Sequence, residues 1–170
     1  MNVKIEYNKK VYEINSNQGK SISIPMSFNS NNNPKFYDES NPIKEPYTSN
    51  DVTYDINKNA SCNVPVVKFN VHCSGTHTET GAHIFKESQT IGELSNLNFI
   101  PSRLITIKPQ KQSNENYHVT YDSREQIITK QSLIKSLEAY DDFLECVIIR
   151  TLPNSEDKLK HNYNKHNHPF

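Results

Sequence analysis

Between Val64 and His83 the chain reads VPVVKFNVHCSGTHTETGAH, and no other stretch gathers so many metal-capable side chains. His72, Cys73, His77, Glu79 and His83 offer imidazole nitrogen, thiolate and carboxylate oxygen, the donors that divalent transition metals take. A catalytic site built from such donors holds an ion with three protein ligands and keeps one position open. The segment is therefore the candidate metal centre. Ser74 and Cys73 also lie near histidines, but no nucleophile elbow and no third partner accompanies them.

These side chains need an element to position them. The β-branched run that opens the segment predicts a core strand delivering the site at its end. A strand repeats its facing every second residue, so His77, Glu79, Gly81 and His83 share a face if the chain is extended. His77 and Glu79 then have Cα atoms roughly 6 to 7 Å apart, close enough to grip one ion. Cys73 has the same parity but lies roughly 13 Å from His77 on a straight strand, too far to share a metal. A bend is required, and Gly75 is the residue that permits one. A bulge there flips parity and brings His72, rather than Cys73, to the metal. A helix would also make Cys73 and His77 neighbours, but the β-branched run and Gly75 argue for extended backbone.

Positions 73 to 83 resemble the H-x-G-T-H-x-D-x-P-x-H signature of the cyclase-like metal hydrolases, which include bacterial kynurenine formamidases. The Gly-Thr-His core matches at Gly75, Thr76 and His77, and the last histidine falls on His83. The first histidine of the signature falls on Cys73 in strict register, with His72 one residue early. Glu79 stands where the signature has aspartate, and Gly81 where it has proline. The resemblance implies that His77 and Glu79 are metal ligands, with His72 or Cys73 as the first ligand and His72 preferred. It implies that His83 is the acid/base group. It also implies a further metal-ligating histidine and glutamate well downstream; no glutamate follows Glu156 and Asp157 is the last acidic residue, so the second half of a two-metal site is missing or supplied otherwise. Either one ion is held instead of two, or the chain lacks a C-terminal part.

Composition bounds the remaining readings. At 170 residues the chain is the size of a single domain, taken as 1–170. Its apolar fraction is 34%, low for a globular domain, because asparagine (22 residues), serine and lysine are abundant. A core completed by a partner subunit, or by more chain, fits that figure. Nineteen basic residues balance nineteen acidic ones, which gives no support to nucleic-acid binding. No apolar run approaches a membrane span, and the N-terminus has no signal-peptide core. Three cysteines without a C-x-x-C do not make a disulfide framework, so Cys62 and Cys146 are expected to be buried thiols in a cytoplasmic protein.

Along the chain, Val3–Tyr7 and Val11–Ile14 predict a hairpin turning at Asn8-Lys9-Lys10. Ile22, Ile24, Met26 and Phe28 alternate and predict a third strand, near an edge because of Pro25; SISIPMSFN also resembles the family's opening strand. From Asn29 to Asn63 the sequence has no period and reads as a surface loop, with Phe36, Tyr37 and Tyr47 able to wall a pocket. Ile91 to Ile100 reads as a short helix or turn, Leu104 to Ile107 as a strand, and Tyr117, Val119 and Tyr121 as another. Thr129 is the expected N-cap of a helix running to Tyr140, with Leu133, Ile134, Leu137 and Tyr140 as its buried stripe. Cys146 to Ile149 reads as a buried strand. The polar tail from Pro153 carries His161, His166 and His168, which offer metal donors or plain solubility.

The expected class is α+β. The resemblance implies a mixed sheet curled toward a barrel with flanking helices, in a swivelling β/β/α arrangement and a homo-oligomer. The expected function is a metal-dependent hydrolase of an amide, formamide or cyclic amide or ester bond in a small molecule. The ion, zinc or manganese, lowers the pKa of a bound water. The alternative is a non-catalytic metal-binding or degenerate module of the same fold.

Overall fold

The computed structural model describes residues 1–86, 89–94, 99–111, 114–116, 120–122, 124–138 and 145–163. Among them the chain is mixed α and β, with small sheets and few helices, which is compatible with the α+β class in its coarse sense. The strands form four two-stranded sheets, and no closed barrel occurs among the described residues.

β1 (Asn2–Tyr7) and β2 (Lys10–Asn15) form the expected hairpin, paired from Asn2↔Asn15 to Tyr7↔Lys10. Its two-residue turn places Asn8 and Lys9 at φ 47° and 61°, the left-handed pair whose twist suits a tight hairpin. The expected third strand is not formed. Pro25 has no N–H for a ladder, and the neighbouring amides go to side chains instead. Ile24 N–H donates to Thr76 Oγ1 (3.0 Å), and Ser27 N–H to Asn33 Oδ1 (2.7 Å).

The stretch expected to be a loop holds short strands. β3 (Ile43–Pro46) pairs antiparallel with β6 (Pro65–Lys68). Between them β4 (Thr48–Ser49) and β5 (Val52–Thr53) close over Asn50 and Asp51, again both left-handed. β6 is the strand expected in the core, yet all four of its residues are exposed. Cys62 is exposed and Cys146 half-buried, and all three thiols are free, so neither of the first two is the buried thiol expected.

Burial concentrates around β7 (Ser102–Ile107). It runs parallel to β8 (Cys146–Thr151), in register from Ser102↔Cys146 to Ile107↔Thr151. Parallel neighbours need a long crossover, and the crossover here carries α2 (Lys130–Leu137), which packs on β7. Thr129 caps α2 as expected, its side chain accepting from Ser132 N–H at 3.1 Å. Glu115 receives the amides of Lys130 and Gln131, placing negative charge at the positive end of the helix. Ile105, Ile107 and Ile127 are buried, as is Pro42 elsewhere in the chain. The stripe on α2 is narrower than expected. Leu133 and Leu137 are half-buried, Ile134 is exposed, and Tyr140 lies outside the described residues. β8 is not buried either: Val147, Ile148 and Ile149 are all exposed. A 3₁₀ turn forms at Ile91–Glu93. Of the strand expected around Tyr117 to Tyr121, residues 117–119 lie outside the described set.

No helix among the described residues is long and apolar enough to cross a membrane.

Candidate metal centre

The candidate ligand segment leaves β6 and turns at once. Asn70 caps α1 (Val71–Ser74), its side-chain oxygen accepting from His72 N–H (3.1 Å) while its amide donates to Glu39 (3.0 Å). The expected extended strand is thus replaced by one helical turn, because the β-branched run ends at Lys68 and Asn70 offers a capping oxygen. Gly75 ends the turn with φ 171° and ψ −178°, extended backbone that any residue adopts. Its requirement is space. A Cβ there would meet the Met26 terminal methyl at 3.1 Å, so the glycine lets the 24–28 segment lie close. Residues 76–80 follow without a ladder partner, and a 3₁₀ turn at Gly81–His83, capped by Thr80, brings the last histidine back.

The consequence is convergence on one oxygen. Glu79 Oε2 lies 3.0 Å from His72 Nδ1, 3.2 Å from His77 Nε2 and 3.9 Å from His83 Nδ1. The donor atoms of His72, His77 and Glu79 all fall within 4.8 Å of one another. Ligand atoms about 2.0 to 2.2 Å from a tetrahedral zinc sit roughly 3.3 Å apart, so the spacing suits one such ion. The His72 ring meets the His77 ring edge-on (5.0 Å, 87°) and the His83 ring at 4.3 Å. Cys73 is not part of the cluster, and the bend brings His72 to it instead.

His77 carries a further feature of metal ligands. Its Nδ1 lies 3.0 Å from the Gly75 carbonyl, to which it donates. A carbonyl on one ring nitrogen fixes the tautomer and leaves the lone pair of the other for a metal. Nε2, which faces Glu79, must then carry a second proton or meet a cation. In the metal-free chain the Gly75 carbonyl raises the His77 pKa above its ordinary 6.5, assisted by Glu79 and opposed by partial desolvation. The Glu79 carboxyl is held below its ordinary value, first by the His77 hydrogen bond, with His83 and His72 adding attraction. A deeper depression occurs at Asp122, down to about 2, because the Arg124 guanidinium and amide donate to it. That pair is local and well exposed, and ordinary turn electrostatics explains it.

His72 and His77 open onto a cavity of about 580 Å³, and Cys73 lines it too. The lining also includes Phe36, whose ring stacks on Tyr163 (5.0 Å, 5°), together with Asp157 and His161. Phe36 therefore meets the pocket expectation, whereas Tyr37 is 75% exposed and Tyr47 packs on Tyr54. The expected polar tail is not free as far as Tyr163. Lys35 N–H donates to the His161 carbonyl (3.0 Å), and Tyr163 N–H to the Lys35 carbonyl (2.9 Å). His161 packs against Tyr163 (4.8 Å) and stands outside the metal-capable cluster, while His166 and His168 lie outside the described residues.

Sequence reasoning missed the braces. Thr76 holds the Ile24 amide, Asn70 caps α1, and the Cys73 carbonyl takes the Phe36 N–H at 3.3 Å. Asparagine before the first helical residue was a readable cap signal; the cross-chain bonds had none.

Compared with models of known protein families, with curated proteins and with solved structures, the chain matches none.

Proposed function

We propose that this chain is a metal-dependent hydrolase acting on an amide, formamide or cyclic amide or ester bond of a small molecule, in the manner of kynurenine formamidases. One observation carries the reading. A single carboxylate oxygen faces three imidazole nitrogens, and the far nitrogen of His77 is tied to a carbonyl, at the edge of an open cavity. His72, His77 and Glu79 are the residues that would hold one divalent ion, zinc or manganese. When bound, such an ion supplies a Lewis acid that polarises a carbonyl and lowers the pKa of water. His83 stands beside the ligands without belonging to the set, which suits a group that takes a proton and returns it to the leaving nitrogen. The stacked Phe36 and Tyr163 offer a flat wall for the rest of the substrate. Curling of the small sheets toward a swivelling β/β/α arrangement, and a cytoplasmic setting, belong to the same proposal.

The test uses the purified chain loaded with zinc or manganese. About one equivalent of metal is expected by elemental analysis, with turnover of an aryl formamide or related cyclic amide. His83→Ala should keep its metal and lose turnover by about 10²- to 10⁴-fold. Full activity in that variant would remove His83 from its role.

A second reading has its own support. The side chains of His72, His77 and Glu79 are 43%, 24% and 41% exposed, so water is not excluded around them. That suits a non-catalytic metal-binding module, which would bind the ion and turn over no member of the amide panel.

A further inference from the structure

We infer that residues 152–163 form a strap along the cavity, rooted at the end of β8 and fastened by a clasp between Phe36 and Tyr163, and that release of the clasp opens the cavity to a small molecule. That the small molecule is a substrate rests on the proposed function. That the strap opens and closes does not, and it is tested on the metal-free chain.

The two ends of the strap are held differently. Leu152 follows the last residue of β8, and its N–H donates to the carbonyl of the buried Ile107 (2.9 Å), so the root is tied to the core. The far end is tied to Lys35, whose N–H donates to the His161 carbonyl (3.0 Å) and whose carbonyl accepts from Tyr163 N–H (2.9 Å). The Tyr163 ring then stacks on Phe36 (5.0 Å, 5°). Between root and clasp nothing is buried: every residue from Leu152 to Lys160 is exposed, Leu159 among them. Yet most residues from Leu152 to Tyr163 line the cavity that His72, Cys73 and His77 also line. A segment that buries little apolar surface opens locally at far lower cost than the whole fold.

The clasp adjoins the metal-capable turn without belonging to it. Lys35 bonds the strap, and the next residue, Phe36, donates its N–H to the Cys73 carbonyl in α1 (3.3 Å). These bonds are separate, so the strap can leave while α1 keeps its place. Tyr163 is the residue to break, because its ring meets both Phe36 and His161 (4.8 Å) and stands outside the set of His72, His77 and Glu79.

Cys73 supplies the probe, being half-buried and on the cavity wall. Alkylation by iodoacetamide, followed by peptide mass in a Cys62→Ser background, reads how often the cavity is open; Cys62 is the exposed thiol, and Cys146 serves as an internal reference. Tyr163→Ala should speed alkylation of Cys73 roughly 2- to 12-fold, the worth of one aromatic pair written as an equilibrium ratio. Tyr163→Phe keeps the ring and should restore the parent rate, and Cys146 should react alike in all three chains. Amide hydrogen exchange at Lys35 and Tyr163 should quicken in Tyr163→Ala, while the amides of Phe36 and His72, bonded to Cys73 and Asn70, stay as in the parent. An unchanged Cys73 rate in Tyr163→Ala, a Tyr163→Phe chain as fast as the alanine variant, or equal quickening of the Phe36 and His72 amides would each overturn the inference. Failure to bind metal or to turn over an amide would sink the hydrolase reading and leave these results standing.

Discussion

The unit made by β7, β8 and α2 and the segment from Asn70 to His83 are held by different forces. In the first, Ile105, Ile107 and nearby Ile127 are removed from water. In the second, Ser74 alone is buried, and Glu79 and the three imidazoles around it lie in the open. What holds the second is a set of polar tethers: the Asn70 cap, Thr76 on the Ile24 amide, His77 on the Gly75 carbonyl. Burial anchors the scaffold, and individual hydrogen bonds aim the candidate ligands. Stability and metal chemistry should therefore fail separately.

The largest expected effect strikes the first region. Ile127 is fully buried, and its backbone exchanges two 2.9 Å bonds with Gln110, just past the end of β7. Ile127→Ala should cost about 2 to 5 kcal/mol, because the transfer loss and the cavity add. The denaturant midpoint reads this directly. Metal stoichiometry of the fraction still folded should not change. A loss below about 0.5 kcal/mol, the range of surface substitutions, would mean that the two regions do not differ in the way described.

The converse experiment strikes the second. Glu79→Gln keeps the shape and removes the charge on which the imidazoles converge. Because changes to groups that merely orient metal ligands cost 10- to 100-fold in affinity, loss of a ligand charge should cost at least about 100-fold. A competition titration with a chromophoric chelator measures it. The denaturant midpoint of the metal-free chain should stay near that of the parent, since the Glu79 side chain is 41% exposed. Unchanged affinity would take the carboxylate out of the metal centre.

The two regions also differed in how far they could be read from sequence. Where a periodic apolar pattern meets a cap or a tight turn, local rules suffice: Thr129 opened α2 and Asn8-Lys9 closed the hairpin as expected. Burial was harder, because alternation says which residues share a face and not whether anything covers it. Val66, Val67, Ile148 and Ile149 read as core and are exposed. At the ligand segment the residue types were legible and the backbone was not. Strand parity put Cys73 on the face of His77 but too far away, and a bulge at Gly75 was expected to bring in His72; His72 does join His77 and Glu79, but through one helical turn at Val71–Ser74. The turn depends on Asn70, and the close approach at Gly75 on Met26, a partner distant in sequence.

Acidity separates the regions more finely, with the smallest effect. In the metal-free chain His77 has a raised pKa, so its contribution is complete below the ordinary 6.5 and is lost as pH rises through the higher folded value. Glu79 has a lowered pKa, so its contribution is complete above the ordinary 4.5 and is lost as pH falls through the lower folded value. The ordering of the ligand segment should thus be greatest between 4.5 and 6.5 and weaken on either side. Metal affinity should run the other way above 6.5, climbing with pH as His77 gives up the proton that competes with the ion. An NMR titration of the His77 ring, paired with metal titrations over the same pH series, follows both. The loss caused by Ile127→Ala should be indifferent to pH across that range, because no titratable group is removed. If metal affinity stayed flat above 6.5, His77 would not be a ligand, and the exposed cluster would be an ion pair with no ion to hold.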